Sequence, residues 1–210
     1  MCLVNCPDQT MSLIEAIKRE NYELADQLIM NRRDLDETNS YGNTPLMLLF
    51  QKLRKHKVCL KLITKIIDAG AEVNIKNDDG STALMGAMYC GYSIYTVRML
   101  IDADAEVNIK NNDGSTALFY ALIYICPVYT VRMLIDAGAD VNVKANYGWT
   151  ALYYAVLHNN SIYTVRILID TGADVNIKNN NGHTAMSYAA NGYRSYSIVD
   201  AVKMLIEADF

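Results

Sequence analysis

At 210 residues, 51% hydrophobic and 20% charged, the chain is long enough to bury a substantial core and too apolar for long disorder. Its net charge of −4 excludes the global basic field that draws proteins to nucleic acid or anionic membrane. Five cysteines, odd in number and without a Cys-x-x-Cys pair, argue against a disulfide framework, a zinc site or any other metal cofactor; they point to reduced thiols in a cytoplasmic compartment.

Residues 1–11 read as a short N-terminal tail; with no basic start followed by an apolar run, no secretory signal is expected. Residues 12–18 and 22–30 read as a degenerate first helix pair. Gly42-Asn43-Thr44-Pro45-Leu46 is then the first instance of a Gly-x-Thr-x-Leu pattern. This copy is four residues longer than those that follow and carries the basic run Lys52-Leu53-Arg54-Lys55-His56-Lys57. A solvated helix extension is the preferred reading of that run over a nuclear-import or nucleic-acid patch. The pattern returns at Gly80, Gly114, Gly148 and, with Met186 in place of Leu, at Gly182, in steps of 38 and then 34 three times. Two further landmarks keep the same register: Leu-Ile-Asp ending at Asp102, Asp136 and Asp170, and acidic-Val-Asn ending at Asn108, Asn142 and Asn176. The most apolar stretch, residues 117–128, is too short to span a bilayer and predicts a buried helix, so no membrane contact is expected.

One unit shows why the copies must stack. Thr82 suits a helix N-cap, and the apolar segment 83–89 behind it is too short to be stable alone and apolar on more than one side. A turn at Gly91-Tyr92-Ser93 leads to a second helix over 94–103, in which Val97, Leu100 and Ile101 form one buried stripe. Arg98 and Asp102 lie four apart on its other face, and the pair recurs at Arg132/Asp136 and Arg166/Asp170. Gly138 ends its helix, and residues 141–148 are an extended, turn-rich excursion to the next cap. Stacking alone gives such a unit a core, with nearest-neighbour energetics.

Helix, turn, helix, Gly138-Ala139-Asp140-Val141-Asn142, loop, Gly148-x-Thr150-Ala151-Leu152 resembles the ankyrin repeat, and the resemblance runs from about Leu13 to the end. It implies an all-α ankyrin-repeat solenoid of about six units within a single domain over 12–210, divided near 12–41, 42–79, 80–113, 114–147, 148–181 and 182–210. The sequence departs from the family in places. Its period of 34 exceeds the usual 33 by a residue near Tyr92-Ser93. The proline of Thr-Pro-Leu-His survives only at Pro45, and the family's loop Asp becomes Asn77, Asn111, Ala145 and Asn179. These losses are expected to remove hydrogen bonds between units and soften the stack. At the other end, the chain stops just after a second helix at residues 201–209; either that helix caps the stack itself or the chain is truncated.

The resemblance implies a protein-binding scaffold, with loops as fingers and first helices lining a concave groove. Carried over position by position, it selects Lys76, Lys110, Lys144 and Lys178 on the fingers. The finger tips include Asp78, Asp79, Asp113 and Tyr147; Trp149 and His183 follow the tip glycines; Tyr89, Tyr124 and His158 end the first helices. The aromatic members read as interface anchors or as rings packed on their neighbours. The lysines read as solubilising charge or as contacts to an acidic partner. Tyr95, Tyr129 and Tyr163 also recur at 34 and are expected to be stacked structural rings.

Two other functional classes stay open. Asn74, Asn108, Asn142 and Asn176 match the ankyrin asparagine that can be hydroxylated, which would make the chain a hydroxylase substrate or regulatory module. Nucleic-acid contact through the 52–57 run is the third. An enzyme is not expected: His56, His158 and His183 lie in different units without an acidic or cysteine partner at motif spacing, and no phosphate loop or Gly-x-Ser-x-Gly occurs. The Asn, Lys, Ile and Tyr richness resembles ankyrin proteins of large DNA viruses, intracellular bacteria and some protists. In such a setting the expected partner is a host protein in the host cytosol, bound by a monomer.

Overall fold

The computed structural model describes residues 11–53, 57–89, 94–158 and 160–191. The turn expected at 91–93, the basic residues 54–56 and the helix expected at 201–209 lie outside them. The described residues are helical with no strand: α1 (Leu13–Lys18), α2 (Tyr22–Met30), α3 (Pro45–Leu53), α4 (Val58–Asp68), α5 (Ala83–Tyr89), α6 (Ile94–Asp102), α7 (Ala117–Ile123), α8 (Val128–Asp136), α9 (Ala151–Leu157), α10 (Ile162–Asp170) and α11 (Ala185–Asn191).

The helices form two layers in a linear array. In one, α1, α3, α5, α7, α9 and α11 pack in succession; in the other, α2, α4, α6, α8 and α10 do the same, and each pair is closed by a contact between layers. The reason is the shortness and greasiness of the first helices. In α7, Ala117, Leu118, Phe119, Ala121 and Leu122 are all buried, which no seven-residue helix can achieve alone. Of the expected stripe in the second layer, Val97 and Leu100 are fully buried and Ile101 only partly; α8 repeats this, with Val131 and Leu134 fully buried, Thr130 beside them and Ile135 partly buried. Each such aliphatic side chain contributes about 1.5–3 kcal/mol on burial.

The fingers are stapled to one another. Backbone amides of Asp78, Asn112, Asn146 and Asn180 donate to the carbonyls of Tyr41, Asp79, Asp113 and Tyr147, at 2.8–3.1 Å. Gly80 is required there: its φ is +73°, and an added Cβ would meet Asn112 Oδ1 at 2.7 Å. A second staple uses side chains. Asn108 Nδ2 donates to the Gly138 carbonyl and its Oδ1 accepts from the Asp140 amide, both at 2.8 Å. Asn74 and Asn142 repeat the arrangement. The asparagines that match the hydroxylation position thus bind one unit to the next.

The loop asparagines keep the turn bonds within their own loops, and at Asn77 the expected loss of bonds between units does not occur, since its Nδ2 donates to Asn43 Oδ1 of the preceding unit at 2.9 Å. Asn111 Oδ1 accepts from the amides of Asp113 (3.0 Å) and Ser115 (2.8 Å), as a carboxylate would, and Asn77 and Asn179 do likewise. An amide oxygen has the lone pairs the turn needs. Only Ala145 lacks the acceptor, and there the loop changes form: Tyr147, inside a 3-10 turn at Asn146–Gly148, has φ +67°. Of the helical charge pairs, Arg132–Asp136 closes at 2.8 Å.

Candidate partner-binding groove

First helices and finger loops meet along one face, and Gly86, Tyr120 and Tyr154, each four positions after the threonine of its corner and spaced by 34, line it; Tyr188 holds the same place in the last copy. In α9 the Thr150 Oγ1 accepts from the Tyr153 amide and starts the helix, so Tyr154 falls on the face toward the fingers; Thr116 holds the same cap position in α7 without that bond. Two open hollows result. One, of about 400 Å³, has Met47, Met85 and Gly86 at its base, Tyr89 and Tyr120 as walls and Asp79 at the finger side. The other, of about 280 Å³, lies one register step on, between Tyr120 and Tyr154, with Tyr124, Tyr147 and Asp113 around it.

The rings form two clusters, one of Tyr89, Tyr124 and Tyr120 and one around Tyr154. Tyr89 meets Tyr124 edge-on at 4.8 Å between centroids, and Tyr124 lies 6.1 Å from Tyr120. Tyr154 stands edge-on to buried Phe119 at 5.2 Å and parallel to His158 at 5.9 Å. Burial dominates the electrostatics. It raises the Tyr124 hydroxyl, with Tyr89 and Tyr120 adding to it, and lowers His158. Burial also raises Tyr154, helped by the negative charge of Asp113.

Of the residues selected from sequence, Tyr89, Tyr124, Tyr147 and His158 are gathered on or beside this face, with Tyr89 51% and Tyr147 73% exposed. Trp149 is different. It is half-buried and stacks on Tyr153 at 3.6 Å, and Tyr153 meets Tyr188 at 4.9 Å. Tyr153 in turn meets Tyr154 edge-on at 5.8 Å, so Trp149 packs into the cluster that holds Tyr154. Tyr153 is held up to about 12, by burial first and then by Tyr188. His183 is exposed on its loop, its amide donating to Asn179 Oδ1.

The lysine row has a structural account. Lys76 Nζ donates to the Lys110 carbonyl at 3.2 Å, Lys110 to Lys144 at 3.5 Å and Lys144 to Lys178 at 3.2 Å. Each ammonium bridges to the next loop. Tyr95, Tyr129 and Tyr163 are 75%, 72% and 72% exposed on the second layer, and among the described residues Tyr129 and Tyr163 make no ring contact, against the expectation that these two stack. Each precedes the buried Val97, Val131 or Val165 by two residues, about 200° around a helix, and so points outward.

Sequence reasoning missed Tyr120, Tyr153, Tyr154 and Tyr188. The signal was present, since Tyr120, Tyr154 and Tyr188 also recur at 34. Attention to the helix ends passed over the helix middles.

The ankyrin-repeat family model matches the chain over residues 55–145 and 126–210. The chain belongs to the ankyrin repeat family. No curated protein is significantly similar to it in sequence. Among solved structures, an ankyrin repeat domain from Acinetobacter baumannii AYE superposes with a TM-score of 0.79 at 28% identity, covering 94% of this chain and 97% of its own. The ankyrin repeat domain of Bcl-3, a member of the IkappaB family, gives 0.74 at 27%, covering 96% and 87%. The ankyrin repeat protein EF0377 gives 0.77 at 24%, covering 93% and 96%, a likeness of fold alone. Ankyrin repeats are generally protein–protein interaction modules, and the fold is typically a non-catalytic scaffold. No helix among the described residues is long and apolar enough to cross a membrane, and no group of three or more His, Cys, Asp or Glu among them could hold a metal.

Proposed function

We propose that this ankyrin stack is a scaffold that recognises a protein partner through the groove between its first helices and fingers. The observation that carries the reading is the aromatic run Tyr89, Tyr124 and Tyr120, with Tyr154 across the second hollow, which keeps ring surface open to solvent on one face. Aromatic rings supply large contact area at low entropy cost and are common energetic centres of interfaces. Cys59 and Cys126, buried as free thiols, fit work in a reducing, cytosol-like compartment.

The test is partner capture from the native cell with two double variants. Tyr89→Ala with Tyr124→Ala should lose the partner, and Tyr129→Ala with Tyr163→Ala on the outer layer should keep it. Trp149 is left intact because its stacking on Tyr153 ties it to the fold. Unchanged capture by the groove variant would refute the reading.

A further inference from the structure

Gly86 is an anomaly in the groove. It sits mid-helix in α5, where glycine costs about 1 kcal/mol relative to alanine, and nothing local demands it. A Cβ at that position would meet only Phe50 Cβ, at an ordinary 3.8 Å. The next three copies carry tyrosine at the same place: Tyr120, Tyr154 and Tyr188. What the glycine provides is space. The hollow above it holds about 400 Å³, against about 280 Å³ for its counterpart one step on.

The two hollows share a chemical plan. Both are walled by tyrosine, the first over an apolar base of Met47 and Met85 and the second with Ile123 beside polar Ser115 and Asn146, and in each the single charged residue among the described lining is an aspartate at equivalent finger positions, Asp79 and Asp113. Their backbones are engaged in the finger ladder, with each amide donating to a loop asparagine. Neither carboxylate has a hydrogen-bond or ion-pair partner among the described residues. The fingers' lysines do not offset them, because Lys76 and Lys110 are directed to carbonyls of the following loop. The pattern ends after two copies: the next position is Tyr147, and the one after it is Asn181.

An apolar stem with a cationic head is the ligand that fits such a pair. Methionine and tyrosine surfaces cover the methylenes, the ring faces attract the cation, and the carboxylate neutralises it. We propose that the two hollows receive two basic side chains, arginine or lysine, from one extended segment of the partner, one against Tyr89, Tyr120 and Asp79 and the other against Tyr154 and Asp113. The expected partner therefore presents a basic segment, opposite in charge to the one the lysine row suggested. This inference rests on the groove reading above.

The experiment pans a phage-displayed random peptide library on the full chain. Synthetic copies of the enriched peptides are then measured on the wild type, Asp79→Asn, Asp113→Asn, Gly86→Tyr and the double variant Tyr89→Ala with Tyr124→Ala, each shown to be folded by circular dichroism. Enriched peptides should share two basic residues at a fixed separation, with the arginine-to-lysine ratio reporting which head is preferred. Each Asp→Asn change should weaken binding about tenfold or more, the usual effect of losing a charge-assisted contact. Gly86→Tyr should make one of the two basic residues dispensable and leave the other essential. Peptides without basic residues that still depend on Tyr89 and Tyr124 would overturn the proposal and leave the groove reading standing. Peptides indifferent to every groove substitution would overturn both. Failure to enrich any peptide over the blank would also overturn the proposal, with the groove reading then judged by partner capture.

Discussion

Ala145→Asn should stabilise the protein. Ala145 is the one finger of the series without the side-chain acceptor that Asn39, Asn77, Asn111 and Asn179 supply. In the preceding unit, Asn111 accepts from two backbone amides and donates to the Tyr120 hydroxyl at 3.1 Å. An asparagine at 145 would find the same three partners, the amides of Tyr147 and Trp149 and the hydroxyl of Tyr154. Each bond is worth about 0.5–1.5 kcal/mol net. Tyr147 now sits at φ +67°, and returning it to the ordinary region would recover about 1 kcal/mol more. Against this stands the ordering of a new side chain, and the Asn179 Nδ2 group, buried without a partner, shows that the donor bond is not made in every copy. A net gain of about 2 kcal/mol follows, or about 4–8 °C in thermal midpoint for a chain of this size. The mirror substitution Asn111→Ala should lose a similar amount. An unchanged or lower midpoint in Ala145→Asn, measured by calorimetry or circular dichroism, would refute the reasoning that the loop asparagine does the work of the family's aspartate.

Leu134→Ala, at a fully buried site in the second layer, should cost about 2–5 kcal/mol in a denaturant melt, whereas Tyr129→Ala, five residues earlier and pointing outward, should cost under about 0.5 kcal/mol. Stability should fall at high pH: burial keeps the Tyr153 hydroxyl protonated up to about 12, against about 10 unfolded, so its contribution is intact below pH about 10 and is lost as pH rises from there toward 12. Midpoints at pH 9 and 11 check this, and Tyr153→Phe should flatten the difference. Cys126, whose thiol burial holds up at about 11 and which lies 3.6 Å from the Met88 carbonyl, should resist alkylation until the chain unfolds; peptide-level mass spectrometry with and without denaturant tests it.

Much of the fold was legible because it follows from patterns inside one unit. The Val97/Leu100 spacing defines a buried stripe, Thr82 and Gly80 mark the corner, and the fixed step of 34 compels stacking. What escaped the sequence depends on relations between units. That Lys76 reaches the Lys110 carbonyl, or that Asn108 spans to Gly138 and Asp140, requires the displacement from one unit to the next. The same holds for the groove. Tyr120 and Tyr154 recur as plainly as Tyr95, Tyr129 and Tyr163, but only the packing shows that the first two border the hollows beside the fingers and the others lie exposed on the second layer. For Trp149, only the structure shows that the ring stacks on Tyr153, four residues on.

Site-specific photo-crosslinking tests the central claim most directly. A benzophenone side chain placed at 89 or 124 should trap the partner in the native cell, while the same group at 129 or 163 should not. Trapping from the outer positions with silence from the groove would place recognition on the opposite face and contradict the account.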